Sequence, residues 1–117
     1  MKDLPVFVKW LEVTDWVLHG VQRFPRHTRF ILSNRIGERT LDIMEDIVTA
    51  IYTKKRGELL DRINRNLEIM RVLYRIAYGQ HYISDNQHRY ISEELNETGR
   101  MVGGWKRSGG GIDETAP

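Results

Sequence analysis

The spacing of apolar residues restricts the fold of this chain more than any other feature. Apolar side chains recur at positions i, i+3, i+4 and i+7 along nearly the whole sequence, which is typical of amphipathic helices, while the alternation of a half-buried strand is absent. Proline occurs only three times in the 117 residues. A chain of this length forms a single domain. The sequence therefore predicts one all-α domain.

Turn signals divide the first half of the pattern into two helices. A first helix is expected over about residues 4–22, because a residue that precedes proline, here Phe24, is pushed out of the helical conformation. A second is expected from Pro25, a favoured first-turn residue, to about Lys54. Its apolar face is expected to consist of Phe30, Gly37, Leu41, Met44, Val48 and Ile51, flanked by Ile36, Ile43 and Ile47.

The second half of the chain predicts two more helices. A third is expected over about residues 58–82, after a glycine that ends the preceding helix. Ser84, followed three residues later by glutamine, has the spacing of a capping box and predicts the start of a fourth helix that reaches Trp105. Short turns between amphipathic helices predict an up-down-up-down four-helix bundle over residues 1–107, followed by a disordered tail over 108–117.

Arginine dominates the basic residues and is concentrated near the start of the second predicted helix. The net charge is only +2, but 13 of the 18 basic residues are arginine, whose planar guanidinium group binds phosphate and carboxylate through paired hydrogen bonds. Between His19 and Arg39 the chain has five arginines and the single acid Glu38. This segregation predicts a basic patch, and an ordinary solvated face is the alternative.

The arginines of the second predicted helix fall into two groups. Arg35 and Arg39 lie one turn apart on the face opposite the predicted apolar face, where phosphate or a partner protein can reach them. Arg26 and Arg29 lie toward the apolar face at its N-terminal end. We expect these two to bind carbonyls and carboxylates near the Phe-Pro turn or at a subunit interface, in the company of Ser33 and Asn34.

Two features of the predicted helices indicate contacts with other chains. The second and third helices are more apolar than one bundle requires, and Ile31 falls away from the main apolar face, so we expect a homo-oligomer. In the fourth helix, Gly99 and Gly103 permit close approach of another backbone, with Trp105 as an anchor. The alternative is a helix that stops at Gly103 and Gly104, since a glycine inside a helix costs about 1 kcal/mol relative to alanine.

The sequence contains no pattern that is diagnostic of catalysis. It has no cysteine, no phosphate-binding loop, no nucleophile elbow and no zinc-binding helix motif. A cluster of His81, Asp85 and His88 is conceivable as a metal site, but Asp85 is better explained by the positive end of the fourth helix. We therefore expect no enzyme activity, no metal and no cofactor.

The hydropathy of the chain gives no indication of a membrane protein. No apolar run approaches the about 20 residues that a membrane span requires. The first residues suit the N-terminus of a helix better than a signal peptide. A cytoplasmic location is expected.

Several short motifs occur in an order that resembles one protein family. They are Trp10-Leu11, Phe24-Pro25-Arg26, Arg29-Phe30, Asn34-Arg35-Ile36, the third-helix residues Arg71, Leu73, Tyr74 and Arg75, and the run GRMVGGW from Gly99 to Trp105. Over about residues 8–107 the chain resembles the accessory variability determinant proteins of diversity-generating retroelements. A related group, the four-helix-bundle proteins encoded in insertions of some 23S ribosomal RNA genes, shares the architecture and is the alternative.

The resemblance implies a non-enzymatic partner of a reverse transcriptase. Proteins of that family form four-helix bundles that assemble into rings, usually pentamers, whose basic surface binds nucleic acid and the polymerase during error-prone copying of a template RNA. In this chain we expect contacts with nucleic acid or polymerase from Arg23, Arg35, Arg39, Arg71, Arg75, Arg100, Lys106 and Arg107. Structural or interface roles are expected for Arg26, Arg29, Asn34, Gly99, Gly103 and Trp105.

Overall fold

The computed structural model describes residues 4–110 and shows an all-helical protein. Its four α-helices are α1, Pro5–Val21; α2, Asn34–Ile51; α3, Gly57–Gly79; and α4, Asp85–Trp105. Both α1 and α3 pack against α2 and α4, which gives an elongated bundle with extents of 51 × 24 × 23 Å. The predicted four-helix bundle is confirmed. None of the helices in this range is long and apolar enough to cross a membrane.

The core contains apolar side chains from all four helices. Fully buried members are Trp10, Val13 and Val17 of α1, Ile36, Ile43 and Ile47 of α2, Leu60, Ile63, Leu67 and Met70 of α3, and Ile91, Leu95 and Val102 of α4. Each large apolar side chain stabilises the fold by about 1.5–3 kcal/mol when it is buried, before conformational entropy is counted. The buried indole of Trp10 donates its N–H to the backbone oxygen of Thr40 at 2.9 Å, so its polar atom is satisfied.

The connection from α1 to α2 is helical but not α-helical. Phe24 is buried and is followed by Pro25, after which the chain forms a 3-10 turn over Arg26–Thr28 and a π-helical turn over Arg29–Ser33. The regular α-helix begins only at Asn34. The second helix predicted from Pro25 is therefore helical near its expected start, but its first two turns have a different geometry.

The core face of α2 differs from the predicted one. Phe30 is 80% exposed and Leu41 is 44% exposed, whereas the residues expected to flank the face, Ile36, Ile43 and Ile47, are completely buried. Thr40 lies among the buried residues and donates its hydroxyl to the backbone oxygen of Ile36 at 2.7 Å. A buried hydroxyl bonded in this way can occupy a core position. The polar residues Thr40 and Asp46 interrupt the face of α2 that packs into the core. The sequence pattern therefore predicted a different face of this helix as the apolar one, and that prediction is wrong.

The turn between α3 and α4 combines a predicted signal with an unpredicted one. The chain leaves α3 through His81, whose φ angle of 65° is left-handed, and the Tyr82 N–H donates to the Ala77 oxygen at 2.9 Å. This reversal ends α3 three residues before its predicted end. The capping box is confirmed, because the Ser84 hydroxyl accepts from the Gln87 N–H at 3.1 Å and the Gln87 side chain accepts from the Ser84 N–H at 2.8 Å.

The glycines of α4 do not end the helix. The helix continues through Gly103 and Gly104 to Trp105 and is followed by a π-helical turn over Lys106–Gly110, so the predicted tail lies outside the described residues only from position 111. A Cβ atom at Gly99 would lie 3.3 Å from Nη2 of Arg71, and one at Gly103 would lie 3.3 Å from Nη1 of Arg107. Arginine side chains, and not a second backbone, lie beside these two glycines within the bundle.

Candidate nucleic-acid interface

Two of the predicted contact residues are held between helices of the bundle. Arg39 of α2 donates from Nη1 to Oδ1 of Asn66 in α3 at 2.9 Å. Arg71 of α3 donates to Oδ1 of Asn96 in α4 at 3.0 Å and to Oε1 of Glu68 at 2.7 Å. Both arginines are half-buried, and each donates to a side chain of a neighbouring helix.

Three more of the selected residues are engaged near the end of α4. Arg100 donates to Oε1 of Glu97 at 2.6 Å, one turn earlier on the same helix. Lys106 forms an ion pair with Asp61 of α3. The half-buried Trp105 packs against the core, and the guanidinium of Arg56 lies 5.2 Å from its ring centroid. Within the single chain, the contacts of Lys106 and Trp105 fasten the C-terminal end of α4 to the bundle, whereas the Arg100 pair lies within α4.

The remaining predicted contact residues are Arg23, Arg35, Arg75 and Arg107, and all of them are exposed. Their side chains form no hydrogen bond or ion pair with another residue between positions 4 and 110. An exposed guanidinium without an internal partner keeps all its donors for solvent or for a ligand. The structure therefore divides the predicted set into arginines committed to the fold and arginines available at the surface.

Arg26 and Arg29 belong with the available arginines. Both are exposed, and the expected bonds to carbonyls or carboxylates near the Phe-Pro turn do not occur among the described residues. The turn is closed instead by Thr28, whose hydroxyl donates to the backbone oxygen of Pro25 at 2.8 Å and lies 3.2 Å from Oγ of Ser33. The interface role expected for these two arginines stays a prediction.

A groove opens between the end of α1 and the start of the second helix, beside these two arginines. We call it the Phe-Pro groove, and its volume is about 710 Å³. Its lining includes the apolar residues Leu18, Phe24 and Leu41 and the polar or charged residues Arg26, Arg29, Asn34 and Glu38. Concave sites that bind small organic ligands combine apolar walls with a few polar groups in the same way.

The shape of the Phe-Pro groove depends on Gly37. A Cβ atom at this position would have one neighbour within 4 Å among the surrounding atoms considered, Cδ2 of Leu18 at 3.8 Å, which is an ordinary contact distance. The missing side chain therefore leaves open space in the groove wall and is not required by tight packing. Near the groove, the π-helical turn exposes Phe30 by 80% and Ile31 by 67%, while it buries Leu32.

A second groove, of about 440 Å³, lies between α1 and α4 and has a different chemical character. Its lining includes Trp16 and Tyr90, whose ring centroids are 4.9 Å apart, together with the carboxylates of Glu12 and Asp15. Burial, followed by the nearby negative charge of Glu94, raises the pKa of the Tyr90 phenol. This groove has two carboxylates and one arginine, Arg23, in its lining, whereas the Phe-Pro groove has one carboxylate and two arginines, so this groove is less suited to a phosphate group.

The histidines near the α3–α4 turn do not form a metal site in the described part of the chain. His88 stacks on Tyr78 with ring centroids 4.3 Å apart, and the Tyr78 hydroxyl donates to Oδ1 of Asp85 at 2.6 Å. This hydrogen bond raises the pKa of the Tyr78 phenol. Asp85, the residue considered as a metal ligand, is thus bound to a tyrosine.

Two ion pairs between helices were not predicted from the sequence. Asp46 of α2 accepts two hydrogen bonds, each of 2.8 Å, from Nε and Nη2 of Arg62 in α3. Lys9 of α1 donates to Oε1 of Glu94 in α4 at 2.8 Å, and this bond raises the pKa of the Lys9 ammonium group. The partners are 16 and 85 residues apart, so no local motif connects them.

The fold and surface define an arginine-rich four-helix bundle with a mixed groove at the Phe-Pro turn. The family model described as bAvd-like matches residues 6–109. The chain therefore belongs to the bAvd-like family, and the Avd-like proteins are accessory, non-catalytic proteins. Searches of curated proteins and of solved structures gave no match.

Proposed function

We propose that this protein is a cytoplasmic, non-enzymatic accessory factor of a diversity-generating retroelement. In this role it binds the reverse transcriptase and the template RNA or its cDNA, and it acts as a homo-oligomer, which the resemblance implies is a pentamer. Membership in the bAvd-like family supports the retroelement role. The observation that carries nucleic-acid binding is the set of exposed arginines whose side chains form no hydrogen bond or ion pair within residues 4–110, namely Arg23, Arg26, Arg29, Arg35, Arg65, Arg75, Arg89 and Arg107.

The distinction between committed and available arginines gives the proposal a physical basis. A guanidinium that already donates to a carboxylate, as Arg100 does to Glu97, has part of its charge neutralised and some of its donors occupied, so it gains less from pairing with a phosphate. Arg35 has no such bond within residues 4–110. Each phosphate that an arginine neutralises releases condensed counterions, so affinity falls steeply as salt increases. We therefore expect the available arginines to dominate the salt dependence of binding.

The first experiment measures binding of the purified protein to a fluorescent structured RNA by anisotropy between about 50 and 300 mM salt. Arg35→Gln is expected to weaken binding and to reduce the slope of log affinity against log salt by about one. Arg100→Gln is the matched control, because it removes the same charge from an arginine already paired with Glu97. It is expected to leave the slope nearly unchanged.

Two results would contradict the proposal. Weak binding by the wild-type protein that does not respond to salt would favour a scaffold of the ribosomal-RNA-insertion type without a retroelement role. Equal effects of Arg35→Gln and Arg100→Gln would show that internal pairing does not determine which arginines bind. Co-expression with the reverse transcriptase of the same retroelement, followed by size-exclusion chromatography, tests the protein partner, and separate elution would contradict that part.

A further inference from the structure

We propose that the Phe-Pro groove holds an unpaired nucleotide of single-stranded RNA or DNA. This inference rests on the proposed function, because it names the form of nucleic acid that the basic surface recognises and the place where a base is held. Arg26 and Arg29 bind the phosphate, and Asn34 bonds the edge of the base. Leu18 and Leu41 contact the face of the base.

The charge at the groove favours a phosphate group. Arg26 and Arg29 both line it, and neither side chain bonds to a residue in the described range. Two guanidinium groups in the lining supply several N–H donors with the geometry that phosphate oxygens accept. One carboxylate, Glu38, also lines the Phe-Pro groove, against two arginines, whereas the second groove has two carboxylates, Glu12 and Asp15, against one arginine. The charge pattern thus assigns the anion to the Phe-Pro groove.

The walls of the groove suit a base. Leu18 is 36% exposed and Leu41 is 44% exposed, and Gly37 has no side chain to fill the space in the groove wall. The volume of about 710 Å³ lies within the range of small-ligand sites. Asn34 is exposed, and its side chain has no hydrogen-bond partner among the described residues. Its amide offers both donors and an acceptor, as the edges of the bases require.

The concave shape distinguishes an unpaired strand from a duplex. In a duplex the bases are stacked inside, and only phosphates and sugars are presented to a groove of this kind. The apolar walls of the groove would then have no base to contact. A single strand can turn one base out of its stack and place it against protein side chains. Phe30, which is 80% exposed and adjacent to Arg29, offers an aromatic surface for the next base along the strand.

Gly37→Leu tests the inference because it fills the groove without a clash. The nearest atom to a Cβ at position 37 is 3.8 Å away, and leucine is a better helix former than glycine, so the variant is expected to fold at least as stably as the wild type. The matched control is Gly79→Leu, at the end of α3, where a Cβ has no neighbour within 4 Å and neither groove is touched. Circular dichroism and urea unfolding verify both folds.

The readout is anisotropy with a fluorescent oligouridine 12-mer and with an RNA duplex of the same length. Gly37→Leu is expected to weaken single-strand binding about tenfold or more and to change duplex binding less than about twofold, while Gly79→Leu changes neither. The double variant Arg26→Gln/Arg29→Gln, which leaves the groove open, is expected to reduce the salt slope for the single strand by about two.

The outcomes separate this inference from the proposed function. Equal single-strand affinities of Gly37→Leu and the wild type would overturn the nucleotide site, while the proposed function would stand if wild-type binding remained salt-dependent. Wild-type protein that binds neither RNA would overturn both. A change in oligomeric state caused by Gly37→Leu, measured by light scattering, would assign the groove to a second copy of the chain and would also overturn the nucleotide site.

Discussion

At the scale of single residues, backbone strain is concentrated at His81. Its φ angle of 65° is the only positive value of a non-glycine residue in the described range. A side chain in the left-handed region costs about 1–2 kcal/mol, a cost that glycine does not have. His81→Gly is therefore expected to raise the free energy of unfolding by about 1 kcal/mol. Urea denaturation monitored by circular dichroism measures the change.

Gln80→Gly is the control for the His81 variant. Gln80 precedes His81, but its φ angle of −86° is accessible to any residue, so glycine there only increases the freedom of the unfolded chain. This control is expected to lower the free energy of unfolding by about 0.5–1 kcal/mol. If the two variants were destabilised alike, the left-handed position would not be a source of strain.

The availability of each arginine is also a residue-scale property, and it could not be predicted from the sequence. Arg35 and Arg39 lie one turn apart in the same helix, and both were expected to contact nucleic acid. Arg39 bonds to Asn66, 27 residues away, whereas Arg35 is exposed without such a bond in the range described. Which side chain finds a partner depends on how α2 packs against α3, and no local pattern specifies that packing.

At the scale of helices, boundaries with a local chemical cause were predictable. The capping box at Ser84 was predicted and is confirmed, since its two hydrogen bonds join residues three apart. The π-helical turn over Arg29–Ser33 has no comparable local signature. The core face of α2 was predicted wrongly because apolar residues cover more than one side of the helix, and the buried Thr40 interrupts the side that packs inward.

The pairing of α2 with α3 gives a prediction at this scale. Asp46 has a side chain only 11% exposed and accepts two hydrogen bonds from Arg62, whose own side chain is 55% exposed. Arg62→Gln leaves this carboxylate with weaker donors. Solvent screens the exposed arginine and reduces the effect, so we expect a loss of about 1–2 kcal/mol in the free energy of unfolding. Urea unfolding at low and high salt measures the loss.

Arg65→Gln is the matched control on the same helix. Arg65 is exposed and forms no side-chain bond with the described residues, so its replacement is expected to change the free energy of unfolding by less than about 0.5 kcal/mol. Equal losses in the Arg62 and Arg65 variants would mean that general charge, and not the bond to Asp46, stabilises the contact between α2 and α3.

At the scale of the whole molecule, the arginines near the Phe-Pro turn and one exposed apolar surface of α3 occupy different places, whereas the available Arg75 lies beside that apolar surface. Arg23, Arg26 and Arg29 lie at one end of the elongated bundle, between α1 and α2. Val72 and Ile76, which are 51% and 47% exposed, lie one turn apart on α3. The proposed nucleic-acid site at the Phe-Pro groove and the predicted interface at Val72 and Ile76 therefore use different side chains.

Self-association through α3 is the prediction that concerns the molecule as a whole. The wild-type protein is expected to have a mass in solution several times the 13.8 kDa of one chain, because neighbouring exposed apolar side chains favour an interface. Val72→Glu/Ile76→Glu places two charges on that surface and is expected to give monomers in light scattering coupled to size-exclusion chromatography. Tyr52→Glu is the control, since Tyr52 is 71% exposed and lies beyond the end of α2. A monomeric wild type would contradict the predicted oligomer, and an oligomeric double variant would exclude this surface of α3 as its interface.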